Sequence, residues 1–135
     1  MKQLLLICAV VALVGCGKKG VESPTVEITN PIVEKAIRKE LNKQEGELTK
    51  ADLEKVTRLE LWNNQLTEVP KELEKLTKLT SLALNDNQLT DVKELEKLTQ
   101  LELLFLTENP DLTKVQIDEL KKALPNCRIT SNFTK

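Results

Sequence analysis

The side chains that perform most protein chemistry are scarce in this sequence, and one of them is missing. The 135 residues contain no histidine and only three cysteines, at Cys8, Cys16 and Cys127. Without imidazole the chain lacks the base that activates many serine and cysteine nucleophiles, and it lacks the nitrogen ligand of many zinc sites. The sequence therefore predicts a protein that is not an enzyme and that carries no cofactor.

Oxygen-bearing side chains are plentiful, but their spacing argues against a metal site or an acid–base pair. The run NDNQ at positions 85–88, with Asp91 nearby, places several oxygens close together. A calcium loop needs about six to eight oxygen ligands at controlled spacing and usually a glycine at its sharp turn. The other carboxylates alternate with lysines in two near-copies of KELEKLT, which is typical of a solvated face. We predict neither a metal site nor a small-molecule substrate.

Charge and composition limit the kinds of partner and of fold that this protein can have. The formal net charge is −1, with 40% hydrophobic and 2% aromatic residues. The chain has no basic stripe that would bind nucleic acid, and its apolar fraction suits one small domain with an aliphatic core. Nucleic acid is therefore not expected as a partner.

The first sixteen residues indicate where the protein is sent. Lys2 precedes an unbroken apolar run at positions 4–14, which is shorter than the roughly 20 residues of a membrane span and fits a secretory signal. The run ends in LVGC, with the cysteine at position 16, and this ending resembles the lipobox of bacterial lipoproteins. The resemblance implies a signal peptide at 1–15 and a lipidated Cys16. An ordinary secretory signal with an incidental cysteine is the alternative.

The lipobox resemblance also implies a location. Residue 17 is glycine rather than the aspartate that resembles an inner-membrane retention signal. We therefore expect an extracytoplasmic protein that is anchored by lipid in an outer membrane or at a cell surface. Residues 16–30 are predicted to be the lipidated cysteine and a flexible tether. Cys127 is then the one free thiol of the mature chain.

The body of the chain repeats one pattern three times. The template LxxLxLxxNxL recurs with steps of 23 and 22 residues between equivalent asparagines, which is the spacing of a leucine-rich repeat. The copies contain Val56, Leu59, Leu61, Asn64 and Leu66; Leu79, Leu82, Leu84, Asn87 and Leu89; and Leu101, Leu104, Leu106, Asn109 and Leu112. The asparagines are expected to satisfy backbone groups of neighbouring turns. The repeats span residues 57–112.

Both ends of the repeat have a predicted cover, which a short stack requires. Residues 31–56 are expected to form a helical N-terminal cap, in which Ile32, Ala36, Ile37 and Leu41 line one helix face. Residues 113–135 are expected to form a helix and a capping strand. A step of 23 residues from Leu104 places Cys127 in the core of that strand.

With these elements in place, the chain resembles a known family. Residues 31–112 look like the leucine-rich repeat region of internalin-like bacterial surface proteins. The segments that carry the resemblance are NPIVEKAIRKELN, ELTKADLEKV, TRLELWNNQLTEV, TSLALNDNQLTDV and LELLFLTENPDLTKV. The resemblance implies an α/β fold, namely a short leucine-rich repeat solenoid of three full repeats plus a C-terminal pseudo-repeat, with a helical N-terminal cap. It implies a protein partner without indicating which protein.

The outward side of the predicted strands gives the most specific functional prediction. If Leu59 and Leu61 face inward, alternate residues of each strand face outward, and exposed apolar residues gathered in one patch usually mark a contact site. The predicted partner-binding residues are Arg58, Glu60, Trp62, Ala83, Asn85, Leu103, Phe105 and Arg128. One alternative is that the tether covers this face through Val26 and Ile28.

These observations together predict a lipid-anchored, extracytoplasmic protein that acts as a non-catalytic protein–protein interaction module. The alternative from a different class is a structural cell-envelope protein that self-associates.

Overall fold

Four three-residue strands form one parallel sheet whose strand order follows the chain. The computed structural model describes residues 23–133. The strands are β1 (Arg58–Glu60), β2 (Ser81–Ala83), β3 (Leu103–Phe105) and β4 (Arg128–Thr130), in the order β1-β2-β3-β4. This is the short α/β solenoid that the repeat predicts.

The core is a stack of aliphatic side chains from successive turns. Leu59 pairs with Leu82, and Leu82 with Leu104, and all three are essentially inaccessible to solvent. The chain returns to the next strand through two 3₁₀ helices, Lys71–Lys75 and Lys93–Lys97. Leucines three residues apart point inward from these helices because a 3₁₀ helix has three residues per turn.

Asparagines hold the turns of the solenoid together, as the sequence predicts. The buried Asn87 side chain accepts hydrogen bonds from the Asn64 and Leu66 N–H groups, both at 3.0 Å. Its amide donates to the carbonyls of Leu61 and Leu84. Asn109 plays the same role one turn later: it accepts from the Leu89 N–H and donates to the Leu84 and Leu106 carbonyls. Buried backbone groups between repeats are satisfied in this way.

Two helices cover the N-terminal end of the core. Helix α1 (Pro31–Leu41) begins at Asn30, whose side chain accepts from the Ile32 and Val33 N–H groups. Helix α2 (Lys50–Leu53) begins at Thr49 with a complete capping box. Helix α1 buries Val33 and Ile37 and packs beside β1. The cap therefore closes the edge of the sheet at β1.

The segment expected to be the end of a flexible tether lies against this cap instead. The Val26 N–H bonds to the Leu48 carbonyl and the Lys50 N–H bonds to the Pro24 carbonyl, both at 2.8 Å. Ile28 is buried in the core. The Thr29 hydroxyl donates to Glu72 at 2.7 Å. Residues 23–30 were predicted to be part of a flexible tether, but they pack on the cap. Burial removes the Ile28 side chain from water, and this stabilises the packed arrangement.

The C-terminal end differs from the predicted register by two residues. Helix α3 (Lys114–Ala123) replaces the 3₁₀ helix of earlier turns, and Leu104 pairs with Ile129 rather than with Cys127. An α-helix rises about 1.5 Å per residue against about 2.0 Å for a 3₁₀ helix, so it needs more residues to cross the same depth. Ile129 therefore fills the predicted core position, and Cys127 is only partly buried.

Candidate protein-binding surface

Alternate residues of the four strands form one outward surface, which we call the sheet face. The strand register places two rows across it: Arg58, Ser81, Leu103 and Arg128 form the first, and Glu60, Ala83, Phe105 and Thr130 the second. Trp62 and Asn85 lie two residues beyond the ends of β1 and β2, where backbone pairing continues. All eight partner-binding residues predicted from the sequence therefore lie on one surface. This holds even though the pairing of β4 with β3 is displaced by two residues from the predicted register. A shift of two residues keeps Arg128 outward because side chains alternate with period two.

Three large apolar side chains are exposed on the sheet face. The exposed fraction is 48% for Trp62, 38% for Leu103 and 37% for Phe105. Ser81 and Ala83 lie between them on β2 and are much smaller, so the middle strand leaves a shallow depression of about 540 Å³. Trp62 borders it on the β1 side, and Leu103 and Phe105 border it on the β3 side. An apolar side chain of another molecule fits a depression of this kind.

Glu60 organises the β1 side of the sheet face. Its carboxylate accepts a hydrogen bond from Arg58 Nη2 at 2.5 Å and lies 3.8 Å from Lys39 Nζ of α1. The Arg58 hydrogen bond lowers the pKa of Glu60 below its ordinary value, so the group is ionised at neutral pH. Beyond the end of β1, Asn64 Nδ2 donates to the Trp62 carbonyl at 3.2 Å.

Arg128 supplies an exposed cation at the other end of the sheet face. It lies in the same row as Arg58, with Ser81 and Leu103 between them. Among residues 23–133, no carboxylate lies within ion-pair distance of the Arg128 guanidinium. Its charge is therefore available to a partner.

A second depression, about 530 Å³ in volume, lies between α1 and β1 and was not predicted from the sequence. Ile32 and Ala36, which were expected to line one face of this helix, are only partly buried and line the depression. Trp62 lines both depressions. The sequence shows the stripe along α1 but contains no short-range signal that α1 packs beside Trp62.

Within residues 23–133, no group of three or more His, Cys, Asp or Glu side chains is placed to hold a metal ion. No helix in that part of the chain is both long enough and apolar enough to cross a bilayer. Cys16 and the predicted signal peptide lie outside the described residues.

The parallel strands, the inward leucines and the asparagine bonds between turns define a leucine-rich repeat fold. Residues 54–110 match the family model described as leucine rich repeat. Proteins of this class generally act in protein–protein interaction.

Solved structures with the same fold include bacterial surface proteins. An internalin C2 from Listeria monocytogenes is 26% identical with a TM-score of 0.64, over 87% of this chain and 51% of that chain. A second Listeria monocytogenes internalin is 26% identical with a TM-score of 0.59, over 78% and 31% of the two chains. A Leptospira interrogans leucine-rich repeat protein is 39% identical with a TM-score of 0.51, over 61% and 21%.

This chain spans about half the length of the internalin C2 structure and less of the other two. Internalin-like proteins are typically non-catalytic and are found at the cell surface or secreted. No curated protein matches the sequence.

Proposed function

We propose that this protein is a lipid-anchored, extracytoplasmic leucine-rich repeat protein that binds another protein through its sheet face and performs no catalysis. The observation that carries the proposal is the exposure of Trp62, Leu103 and Phe105 on one surface. The whole chain contains only one Trp and two Phe. Large apolar side chains held at a protein surface usually mark the centre of a contact site.

The sheet face is small, which limits the affinity of the isolated domain. Four strands spaced roughly 4.8 Å apart present a surface of only a few hundred Å², whereas a stable complex buries about 800 Å² on each partner. We therefore expect micromolar or weaker binding in solution. Attachment to a membrane compensates, because many copies on one surface raise the effective concentration.

The proposed anchor rests on the lipobox-like ending at Cys16. Two or three acyl chains give stable attachment, since each buried methylene contributes roughly 0.8 kcal/mol. Replacing Cys16 with Ser is expected to leave an unmodified precursor that keeps its signal. Membrane fractionation and intact-mass measurement would show this. A mature wild-type protein that is released without detergent would contradict lipid anchoring in the outer membrane or at the cell surface.

Photo-crosslinking in intact cells tests the sheet face directly. A crosslinking amino acid at Asn85 lies beside the depression, and the same group at Lys78, on a return segment, is the control. We expect the crosslinker at position 85 to capture a protein other than this chain, and the crosslinker at position 78 to capture none. Capture of a second copy of this chain would instead favour a self-associating structural protein.

The two aromatic residues are expected to dominate the binding energy. Trp62→Ala and Phe105→Ala should each weaken binding to the captured partner by more than about 1 kcal/mol. The fold should be unaffected, because neither side chain is buried. Val115→Ala is the matched control, since Val115 is an exposed apolar residue on α3. Titration calorimetry measures the affinities, and equal affinity for all variants would reject the sheet face as the site.

A further inference from the structure

We propose that the binding surface continues past Trp62 onto the cap, where a groove between α1 and β1 takes an acidic segment of the partner protein that carries an apolar side chain. We call this the cap groove. The proposal rests on the proposed function, because Trp62 and Glu60 line both the cap groove and the depression on the sheet face. One bound segment can therefore contact both.

Part of the lining of the cap groove is apolar. Ile32 and Ala36 lie on α1 one turn apart and are only partly buried, so part of each side chain faces the groove that they line with Trp62. The Trp62 side chain lines the opposite side, on the chain that follows β1. An apolar side chain placed among these three groups would lose its contact with water, which is the main source of affinity at such sites.

The rim of the cap groove is positively charged. Lys35 and Lys39 lie one turn apart on α1 and border it. The only carboxylate lining the groove is Glu60, which is shared between Arg58 and Lys39. No ion pair is made by Lys35 within residues 23–133. The rim thus has an excess of positive charge on a chain whose net charge is −1, and it complements a carboxylate.

A groove of similar size elsewhere on the molecule has the opposite balance of charge. It lies between α3 and the second 3₁₀ helix, and its charged lining residues are Asp91, Lys93, Glu96, Glu119 and Lys122. Three carboxylates face two ammonium groups there, so the excess charge of this groove is negative. The cap groove differs because its two lysines outnumber its one carboxylate, so its excess charge is positive.

The chain's own N-terminal segment is a poor occupant for the cap groove. Lys18 and Lys19 carry the same charge as Lys35 and Lys39, and like charges repel at this range. A protein segment is favoured over a lipid surface, because the apolar groups line a concavity rather than protruding toward a membrane plane. Contact with the cap groove would also add to the area buried in the complex, which the sheet face alone leaves small.

Panning a random twelve-residue peptide phage library on the detergent-solubilised full chain tests the proposal. We expect enriched peptides to combine carboxylates with at least one large apolar residue. Lys35→Glu should weaken binding of a synthetic enriched peptide about fivefold or more, whereas Lys78→Glu should not. Both lysines are exposed and neither makes an ion pair in the described residues, so the two variants are matched.

The other outcomes separate the two proposals. Peptides that lose affinity with Phe105→Ala but not with Lys35→Glu would overturn the cap groove and leave the sheet face intact. Failure to enrich any peptide that is sensitive to either variant would overturn both. Self-association in sedimentation velocity that Lys35→Glu abolishes would assign the groove to a second copy. Competition of the enriched peptide by phosphatidylglycerol vesicles, lost in Lys35→Glu, would assign it to a membrane.

Discussion

At the scale of single residues, Asn87 joins two successive turns of the solenoid. Its side chain bonds to backbone groups of three residues in the preceding turn and two in its own, and it is almost completely buried. Asn132 in the last turn is exposed, and it accepts a hydrogen bond from the Glu108 N–H at 2.9 Å. Asparagines in different turns are therefore expected to contribute differently to the stability of the fold.

We predict that Asn87→Ala lowers the free energy of unfolding by about 3 kcal/mol or more, because several buried backbone groups lose their partners at about 1–3 kcal/mol each. Asn132→Ala should cost less than about 1 kcal/mol, since water replaces its bond. Urea denaturation of the two variants measures the difference. Equal losses would show that burial of the asparagine does not matter.

Cys127 gives a second prediction at this scale. The thiol is partly buried, and burial raises its pKa above the ordinary value of 9.0. Because the thiolate is the reactive form, a disulfide-exchange reagent should label native Cys127 slowly, with a rate that still increases above pH 9. A Cys8→Ser, Cys16→Ser chain leaves Cys127 as the only thiol. Labelling that occurs only after unfolding would return Cys127 to the core.

At the scale of elements, the N-terminal cap depends on the start of α2. Asp52 Oδ2 accepts from Lys43 Nζ at 2.6 Å and from the Thr49 N–H at 3.0 Å. These bonds, led by the one from Lys43, lower the pKa of Asp52 from 3.8 to about 2. The ionised carboxylate completes the capping box and ties α2 to the loop that follows α1.

We predict that Asp52→Asn lowers the free energy of unfolding by about 1–2 kcal/mol at pH 7. The folded pKa lies below the unfolded one, so this stabilisation is present above about pH 4 and is lost as the pH falls toward 2. The difference between wild type and variant should shrink over that range in chemical denaturation. Asp118→Asn is the control, because its partner Lys114 is exposed. A difference that does not change with pH would contradict this role for the carboxylate.

At the scale of the whole molecule, one continuous core runs from the N-terminal segment to the last strand. Ile28, Leu82 and Ile129 belong to the same buried cluster. Each turn packs mainly on its neighbours. Unfolding of one turn exposes the leucines of the next to water, so partially unfolded states of a stack this short are unstable. The cap at one end and α3 at the other are therefore parts of one cooperative unit.

We predict that urea unfolds the two ends in a single transition. Trp62 fluorescence reports the first turn, and the labelling rate of Cys127 reports the last. Both should give the same midpoint, as two-state unfolding requires. A lower midpoint at Cys127 would show that the C-terminal turn unfolds separately.

The sequence by itself determined the elements that are local. The spacing of leucines and asparagines predicts the strands, the return segments and the outward positions of Trp62 and Phe105, because side-chain direction along a strand follows from period two alone. The N-cap at Asn30 is equally local, since the bonds involved span two or three residues.

Only the tertiary structure decided the features that depend on contacts between distant parts of the chain. The register of β4 follows from the length of α3, so Ile129 takes the core position predicted for Cys127. Ile28 leaves the predicted tether because the cap offers it a buried site. The cap groove exists because α1 packs beside Trp62. None of these contacts has a short-range signal, since each is chosen by the free energy of packing the whole solenoid rather than by neighbouring residues.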